Sequence, residues 1–311
     1  MNVVVVGAGA VGSLFGGRLA AAGNRVTLVA RPGHVRAIRE GGLRIEGTSP
    51  GTWPLEATTD LSAAGPADAV LVTVKTFDLE AAARELGRTF APTPTLLPQN
   101  GLGIVPPVLA ALRTSGWVRP EDWVVRAVHS VPALWVGSGV VRASGTGEVI
   151  LPDPGGRGTV AGPIERFQEL LRGAGFSVRT SADIDREVWR KALVNAAINP
   201  VTALHGVPNG RLIDGPLRSE AVVLLTEART VARAEGFAFG EAEATGELER
   251  VVRATAENRS SMLQDIDRGR PTEIEAISGE LLRLGAVHGL DLPHTRAACV
   301  AVRARAARPQ A

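Results

Sequence analysis

Three features of this 311-residue chain predict an α/β domain built on a doubly wound parallel sheet, followed by an all-α domain. The N-terminal run Val3 to Val6 leads straight into a glycine-spaced turn, a helical run and a second apolar run. Strand-like and helix-like segments then alternate as far as residue 182, the pattern of a parallel sheet with helical crossovers. From residue 183 onward helices follow one another with few strand signals. The length is enough for two cores, and we place the domains at 1–182 and 183–311.

The first element, "VVVV", is a continuous apolar run of the kind buried on both faces of a parallel sheet. It enters "GAGAVG", where Gly7, Gly9 and Gly12 have the G-x-G-x-x-G spacing. With Ala8, Ala10 and Val11 they form the turn that lets backbone approach a pyrophosphate and helix pack on strand, the Rossmann-type arrangement. The helix "SLFGGRLAAAG" stops at Gly23, and the strand "RVTLVA" follows. An NAD enzyme places Asp or Glu at the end of that strand, about 20 residues beyond the glycines, whereas a basic residue accommodates a 2′-phosphate. Here Arg31 stands in that place, which selects NADP(H).

"ADAVLVTVK" is the next parallel strand, with Lys75 at its carboxyl end, and "DLEAAARELG" its helix. "TPTLLPQNGLG" is a short buried strand ending in Gln99, Asn100 and Gly101. Ligands of open α/β sheets bind beyond the carboxyl ends of strands, so Lys75 and Asn100 are expected to face the cofactor. The Asn-Gly pair is equally a plain turn signal. "WVVRAVHSVPALWV" and "GEVILP" are read as extending the sheet, and "PIERFQELLRGAGFSV" as a helix and a strand.

In the second domain, "DIDREVWRKALVNAAINP" is a helix ended or bent by Pro200. "PLRSEAVVLLTEARTVARAEG" is stopped by Gly236. "EAEATGELERVVRATAENRSSMLQDIDRG" reads as two helices broken near Ser260, "PTEIEAISGELLRLGAVHG" as a helix with proline in its first turn, and residues 293–308 as the last helix.

Composition narrows the chemistry. Hydrophobic residues make up 45% and charged residues 21%, with 34 basic against 32 acidic side chains scattered rather than clustered, so a folded protein without a nucleic-acid partner is expected. A single cysteine, Cys299, excludes an internal disulfide, and the five histidines have no metal-ligand spacing. The start lacks a basic n-region and no apolar stretch is long enough to span a bilayer, so we expect a cytoplasmic, metal-free protein without a membrane partner. A homodimer and a monomer are both open, since no segment is diagnostic of an interface. The absence of tyrosine excludes reductases that protonate a carbonyl from a Tyr-x-x-x-Lys pair. Only Lys75 and Lys191 are lysines, every other cation being arginine. Arginine cannot release its proton at a useful pH, whereas a desolvated lysine can, which makes both lysines candidates for chemistry.

Lys191, Asn195 and Asn199 stand four residues apart in a stretch otherwise made of Trp, Ala, Leu, Val and Ile, and so share one stripe of a helix. A lone lysine there would snorkel. A three-member polar stripe in a helix that buries its apolar residues instead needs hydrogen-bond partners, at about 1 to 3 kcal/mol per unpaired group, and a ligand or a polar wall provides them. Glu273 is the candidate wall, although a glutamate in a first helical turn is favoured by the helix dipole alone. Ser261 has an equally ordinary reading as an N-cap.

The motifs "GAGAVG", "QNGLG", "WRKALVNAAINPVTAL", "PNG", "ENRSSMLQDI" and "TEIEAISG", in this order and at these separations, resemble those of the ketopantoate reductases, NADPH-dependent 2-dehydropantoate 2-reductases of pantothenate biosynthesis. The resemblance covers nearly the whole chain, and its C-terminal motifs are more specific than the glycine turn. It implies Lys191 as general acid in the reduction of a 2-oxo acid, and Glu273 as the group that anchors and orients substrate, standing also among the cofactor contacts. It implies Asn195, Asn199 and Ser261 as substrate ligands, and Asn100 and Lys75 beside cofactor and substrate. Many relatives carry a histidine where Ala143 stands, a departure that bears on local packing and on the substrate. Three alternatives remain: a paralogous reductase of another 2-oxo acid; a 3-hydroxy acid dehydrogenase, which shares a Lys-x-x-x-Asn helix but whose glycine-rich substrate segment is not found here; and a catalytically silent NADPH sensor, which would have no need of the acid ladder.

Overall fold

The computed structural model describes residues 1–145, 147–156 and 160–307. The chain forms two compact units: residues 1–99 with 104–184, and residues 100–103 with 185–311.

In the first unit the strands, in chain order, are β1 (Asn2–Val6), β2 (Arg25–Val29), β3 (Leu43–Gly47), β4 (Gly51–Trp53), β5 (Glu56–Thr58), β6 (Ala69–Val72), β7 (Thr95–Leu97), β8 (Val124–Arg126), β9 (Val128–His129), β10 (Ala133–Gly137), β11 (Val140–Ala143), β12 (Glu148–Pro152) and β13 (Ser177–Ser181). Its helices are α1 (Ala10–Ala21), α2 (Pro32–Gly41), α3 (Leu79–Thr89), α4 (Val105–Thr114) and α5 (Ala161–Gly173). Six strands make one parallel sheet in the order β5-β2-β1-β6-β7-β8. The order reverses between β1 and β6, so a crevice opens beyond their carboxyl ends.

β1 shows why the sheet is covered on both faces. Val3 and Val5 join a core with Leu14, Phe15 and Leu19 of α1 and with Phe167 and Leu171 of α5. Val4 and Val6 join a second core with Leu86 of α3 and Val108 and Leu112 of α4. Alternation with a period of two residues sends neighbouring valines to opposite layers, which is the doubly wound arrangement expected.

The sheet does not extend as far as the sequence suggested. The run from Trp123 to Val136 is divided among three sheets: β8 closes the parallel sheet, β9 pairs antiparallel with β12, and β10 pairs with β11. Pro132, which has no N–H to donate, separates β9 from β10. "GEVILP" belongs to a three-stranded sheet β13-β12-β9, and β3 and β4, strands not expected from the sequence, form a second sheet in the order β10-β11-β3-β4. Ala143, the site of the missing histidine, is 1% exposed on β11 within the core that also holds Phe15.

The second unit consists of α6 (Ile184–His205), α7 (Gly215–Ala234), α8 (Glu241–Ala254), α9 (Ser261–Ile266), α10 (Glu280–Val287) and α11 (Pro293–Ala306). Arg308, included in the expected last helix, lies outside the described residues. α6 begins at Ile184 as the terminal residue of the first unit and runs on through the second. One core joins Trp189, Leu193 and Ile198 of α6 to Leu224 and Val231 of α7, Leu248 of α8, Met262 of α9, Leu281 of α10 and Val302 of α11. Leu102, from the short 100–103 segment, is buried in the same core.

Pro200 does not end α6, which continues to His205. Proline leaves the carbonyl four residues earlier without its helical donor, but burial of residues 196 to 203 on the hydrophobic core holds the helix together across that gap. α11 begins under a cap from another helix. The Glu227 carboxylate of α7 accepts from the amides of His294 and Thr295 at 3.0 and 2.7 Å, and from the Thr295 hydroxyl at 2.7 Å. Burial pushes this carboxyl up, but the bonds from Thr295 and His294 outweigh it and hold it below the ordinary glutamate value.

Among the described residues no helix is long and apolar enough to cross a membrane, and no group of His, Cys, Asp and Glu could hold a metal ion.

Candidate active site

The glycine-rich turn follows β1 at the point where the strand order reverses. The amides of Gly7 and Ala8 both donate to Val29 O at 3.0 Å, which ties the turn to the end of β2. Gly7 has φ of +94°, and a Cβ there would lie 2.6 Å from Val74 N. A Cβ on Gly12 would lie 2.3 Å from Thr73 Oγ1 and 2.7 Å from Gly7 O. These two glycines therefore let the turn close on the segment after β6, where Thr73 donates from its backbone to Val6 O at 2.7 Å and from its hydroxyl to Gly7 O at 2.9 Å. Gly9 is different: it is exposed, and the nearest atom to a Cβ there is Gly7 O at 4.0 Å. Its missing side chain leaves room on the open side of the turn.

That space decides whether these residues fit a dinucleotide. Gly9 is the N-cap of α1, no side chain caps the helix, and its first turn has no acid. Helix amides with their partial positive charge thus meet a surface that only backbone occupies, the requirement for close approach of a pyrophosphate. Arg31, exposed, is the N-cap residue of α2 just after β2, with no acid at the strand end. Lys75, half-buried, follows β6 by three residues and starts the short helical turn Thr76–Asp78. The first unit therefore brings Gly7, Ala8, Gly9, Ala10, Val11, Gly12, Arg31 and Lys75 to one edge of its parallel sheet.

The remaining candidates belong to the second unit. Lys191 and Asn195 are half-buried on α6 and Asn199 is buried, 4% exposed, between apolar neighbours that are themselves buried. Thr202, three residues beyond Asn199, has its hydroxyl 2.7 Å from that of Ser260. Ser260 is the N-cap of α9 and accepts from Leu263 N at 3.2 Å. The capping role thus falls on Ser260, and Ser261, one residue further, is exposed at the helix start. The "PNG" motif fastens to the same segment: Asn209 N donates to Asn258 O and Gly210 N to Ala256 O, each at 2.9 Å.

Glu273 is 7% exposed and precedes the helix rather than lying in its first turn, contrary to the reading with Pro271 as its first residue. Its carbonyl accepts from Ile277 N at 3.2 Å. The chain then makes a π-helical turn, Glu275–Gly279, before α10. Such turns widen a helix locally and often mark functional positions. Here the widening receives the 100–103 segment: Leu102 N donates to Ala276 O at 3.2 Å, and a Cβ on Gly101, whose φ is +93°, would lie 2.6 Å from that same oxygen. Asn100 is consequently held in the helical unit, beside the turn that follows Glu273, rather than simply extending the sheet. The Asn-Gly pair is both a turn and a docking point.

Sequence reasoning missed two contributors. Arg126 places Nη1 within 3.0 Å of Leu97 O and Ala127 O and 2.7 Å of Gln99 O, gathering carbonyls at the end of the sheet. Ser13 and His34 form a buried pair beneath the glycine-rich turn. Neither has a local spacing signal, because apart from Ala127 the partners are 21 or more residues away in sequence.

A family model described as ketopantoate reductase PanE/ApbA matches residues 3–156, and its C-terminal counterpart matches residues 183–306. The chain belongs to the ketopantoate reductase family. It is an oxidoreductase with a parallel-sheet unit and a helical unit, as the motifs implied. It is 36% identical over 291 residues to a 2-dehydropantoate 2-reductase of Archaeoglobus fulgidus, covering 93% of this chain and 92% of that one. The crystal structure of a PanE/ApbA family ketopantoate reductase from Ralstonia eutropha JMP134 superposes with a TM-score of 0.86 at 32% identity, covering 98% of each chain. A ternary structure of D-mandelate dehydrogenase with NADH and anilino(oxo)acetate shares the fold, with a TM-score of 0.87 at 24% identity over 98% of each chain.

Proposed function

We propose that this ketopantoate reductase family member reduces 2-dehydropantoate to pantoate with NADPH, residues 1–182 holding the dinucleotide and residues 183–311 carrying substrate and catalytic groups. When bound, the nicotinamide supplies the hydride to the C2 carbonyl carbon. The chain's own task is to handle the oxygen. Lys191 stabilises the negative charge growing on that oxygen and then protonates it, which arginine would do only in part. Glu273 anchors and orients the substrate. Asn195, Asn199, Ser261 and Asn100 supply hydrogen bonds to the substrate's polar groups, and Asn100, Lys75 and Glu273 also border the cofactor. Gly7 to Gly12 cradle the pyrophosphate, and Arg31 receives the 2′-phosphate and so selects NADP(H) over NAD(H).

The observation that carries this reading is the ladder on α6. A cation and two carboxamides share one stripe of a helix whose residues 192–194 and 196–203 are buried, in a chain of the ketopantoate reductase family. The test is a steady-state screen of 2-oxo acids with both nicotinamide cofactors, run beside oxidation of 3-hydroxyisobutyrate. Ketopantoate reduced most efficiently, with NADPH preferred, is the expected result. Efficient turnover of another 2-oxo acid alone would keep the mechanism and replace the substrate. Oxidation of the 3-hydroxy acid in preference to any reduction would overturn the proposal.

A further inference from the structure

His34 is buried, 3% exposed, on α2, three residues after Arg31. The amide of Gly139, in the turn between β10 and β11, donates to its Nδ1 at 2.8 Å. A backbone N–H can only donate, so Nδ1 carries the lone pair and the proton sits on Nε2. Nε2 then donates to Ser13 Oγ at 2.9 Å, and the Ser13 hydroxyl donates to Ala8 O at 3.2 Å. The relay has one direction and ends on a carbonyl of the glycine-rich turn. Trp135 covers the imidazole with its ring centroid 4.5 Å away. At the other end, the backbone amides of His34 and Val35 donate to Arg31 O at 3.0 and 3.1 Å. One imidazole thereby joins the first turn of the arginine-bearing helix to the first turn of α1 and to the glycine-rich turn.

A dinucleotide phosphate presents two anionic groups, a pyrophosphate and a 2′-phosphate, at a separation set by its adenosine. Two contacts reinforce each other on such a ligand only when the protein holds them at the matching distance. We propose that His34 is a positioning residue for the cofactor: through Ser13 it fixes the spacing between Arg31 and the glycine-rich turn, and so sets the preference for a dinucleotide carrying the 2′-phosphate. This rests on the reading of Arg31 as the 2′-phosphate contact.

The test compares KM for NADPH and NADH, kcat and Tm in four variants. His34→Asn keeps an acceptor for Gly139 N near the Nδ1 position but has no donor that reaches Ser13. His34→Gln keeps a donor near the Nε2 position. Arg31→Ala removes the phosphate contact, and Arg31→Ala/His34→Asn closes the cycle. We expect His34→Asn to raise KM for NADPH about tenfold and that for NADH less than about twofold, at unchanged kcat, with His34→Gln restoring most of the preference. In the Arg31→Ala background, His34→Asn should have no further selective effect on NADPH. If Arg31→Ala is selective for NADPH but His34→Asn lowers only Tm, or raises both KM values alike, the positioning role is overturned while the Arg31 reading stands. If Arg31→Ala weakens both cofactors equally, that reading falls and the positioning role falls with it.

Discussion

Two helices, α1 and α6, are buried along most of their length, yet they handle polarity in opposite ways. In the proposed cofactor site α1 presents almost no side chain: a glycine at its N-cap and another in its first turn, no side-chain cap, and buried residues from Gly12 to Leu19. α6 offers side chains alone, a lysine and two asparagines set into an apolar surface. A site made of backbone depends on atoms being absent, and a site made of side chains depends on particular groups being present. Substitutions should therefore act on binding in the first case and on turnover in the second.

The sharpest way to break that contrast is Lys191→Ala. Loss of a general acid lowers turnover by about a hundred- to ten-thousand-fold. KM for NADPH should hardly move, and Lys191→Arg should recover only a small part of the loss. Near-normal kcat in steady-state assays would remove Lys191 from the role.

The glycines sharpen the other half. Gly12→Ala drives a methyl into Thr73 Oγ1 and Gly7 O, and overpacking of this kind costs about 1 to 3 kcal/mol. Gly9→Ala meets nothing in the protein, so urea unfolding should shift by less than about 1 kcal/mol while cofactor KM rises about tenfold. Equal stability losses in the two variants would mean that Gly9 is only a structural turn residue.

Beneath α1, pH gives a further test. Burial holds the His34 imidazole down to about 4, against an ordinary value of 6.5. As pH falls through 6.5 the unfolded chain takes up a proton that the native site refuses. Stability contributed by this group is complete above 6.5 and is lost progressively down to about 4, by up to about 3 kcal/mol. Urea unfolding at pH 7.5 and 4.5 should show a smaller loss for His34→Asn than for the wild type, and identical losses would remove His34 from the acid response.

The smallest effect expected is at α11, whose first amides are already occupied by Glu227. Glu227→Gln weakens charge-assisted bonds and should cost about 1 kcal/mol in urea unfolding while leaving kcat and KM unchanged. A kinetic effect there would mean that this helix start is not merely structural.

The parts legible in the sequence were those written locally. The Val3 to Val6 run, the glycine spacing and the four-residue interval of the ladder all follow from the periods of strand and helix. Short strands such as Gly51–Trp53 and Glu56–Thr58 were hidden, because three residues carry too little periodicity to register. The division of residues 123–136 among three sheets depends in part on partners 20 and 22 residues away in β12. Of the two effects expected of Pro200, ending the helix did not occur, because tertiary burial outweighed a local breaker. His34 was invisible as a contributor, since its meaning lies in Ser13 and Gly139, which sequence distance separates from it by 21 and 105 positions.

The 100–103 segment gives the helical unit an unusual dependence. Leu102 is synthesised long before the side chains it packs among, and it is flanked on both sides by chain that belongs to the sheet. A fragment beginning at Asp185 would lack one of its own interior residues. The two halves of this protein are therefore joined by three covalent passages, after residues 99, 103 and 184, and the helical half does not reach its finished interior as an autonomous module.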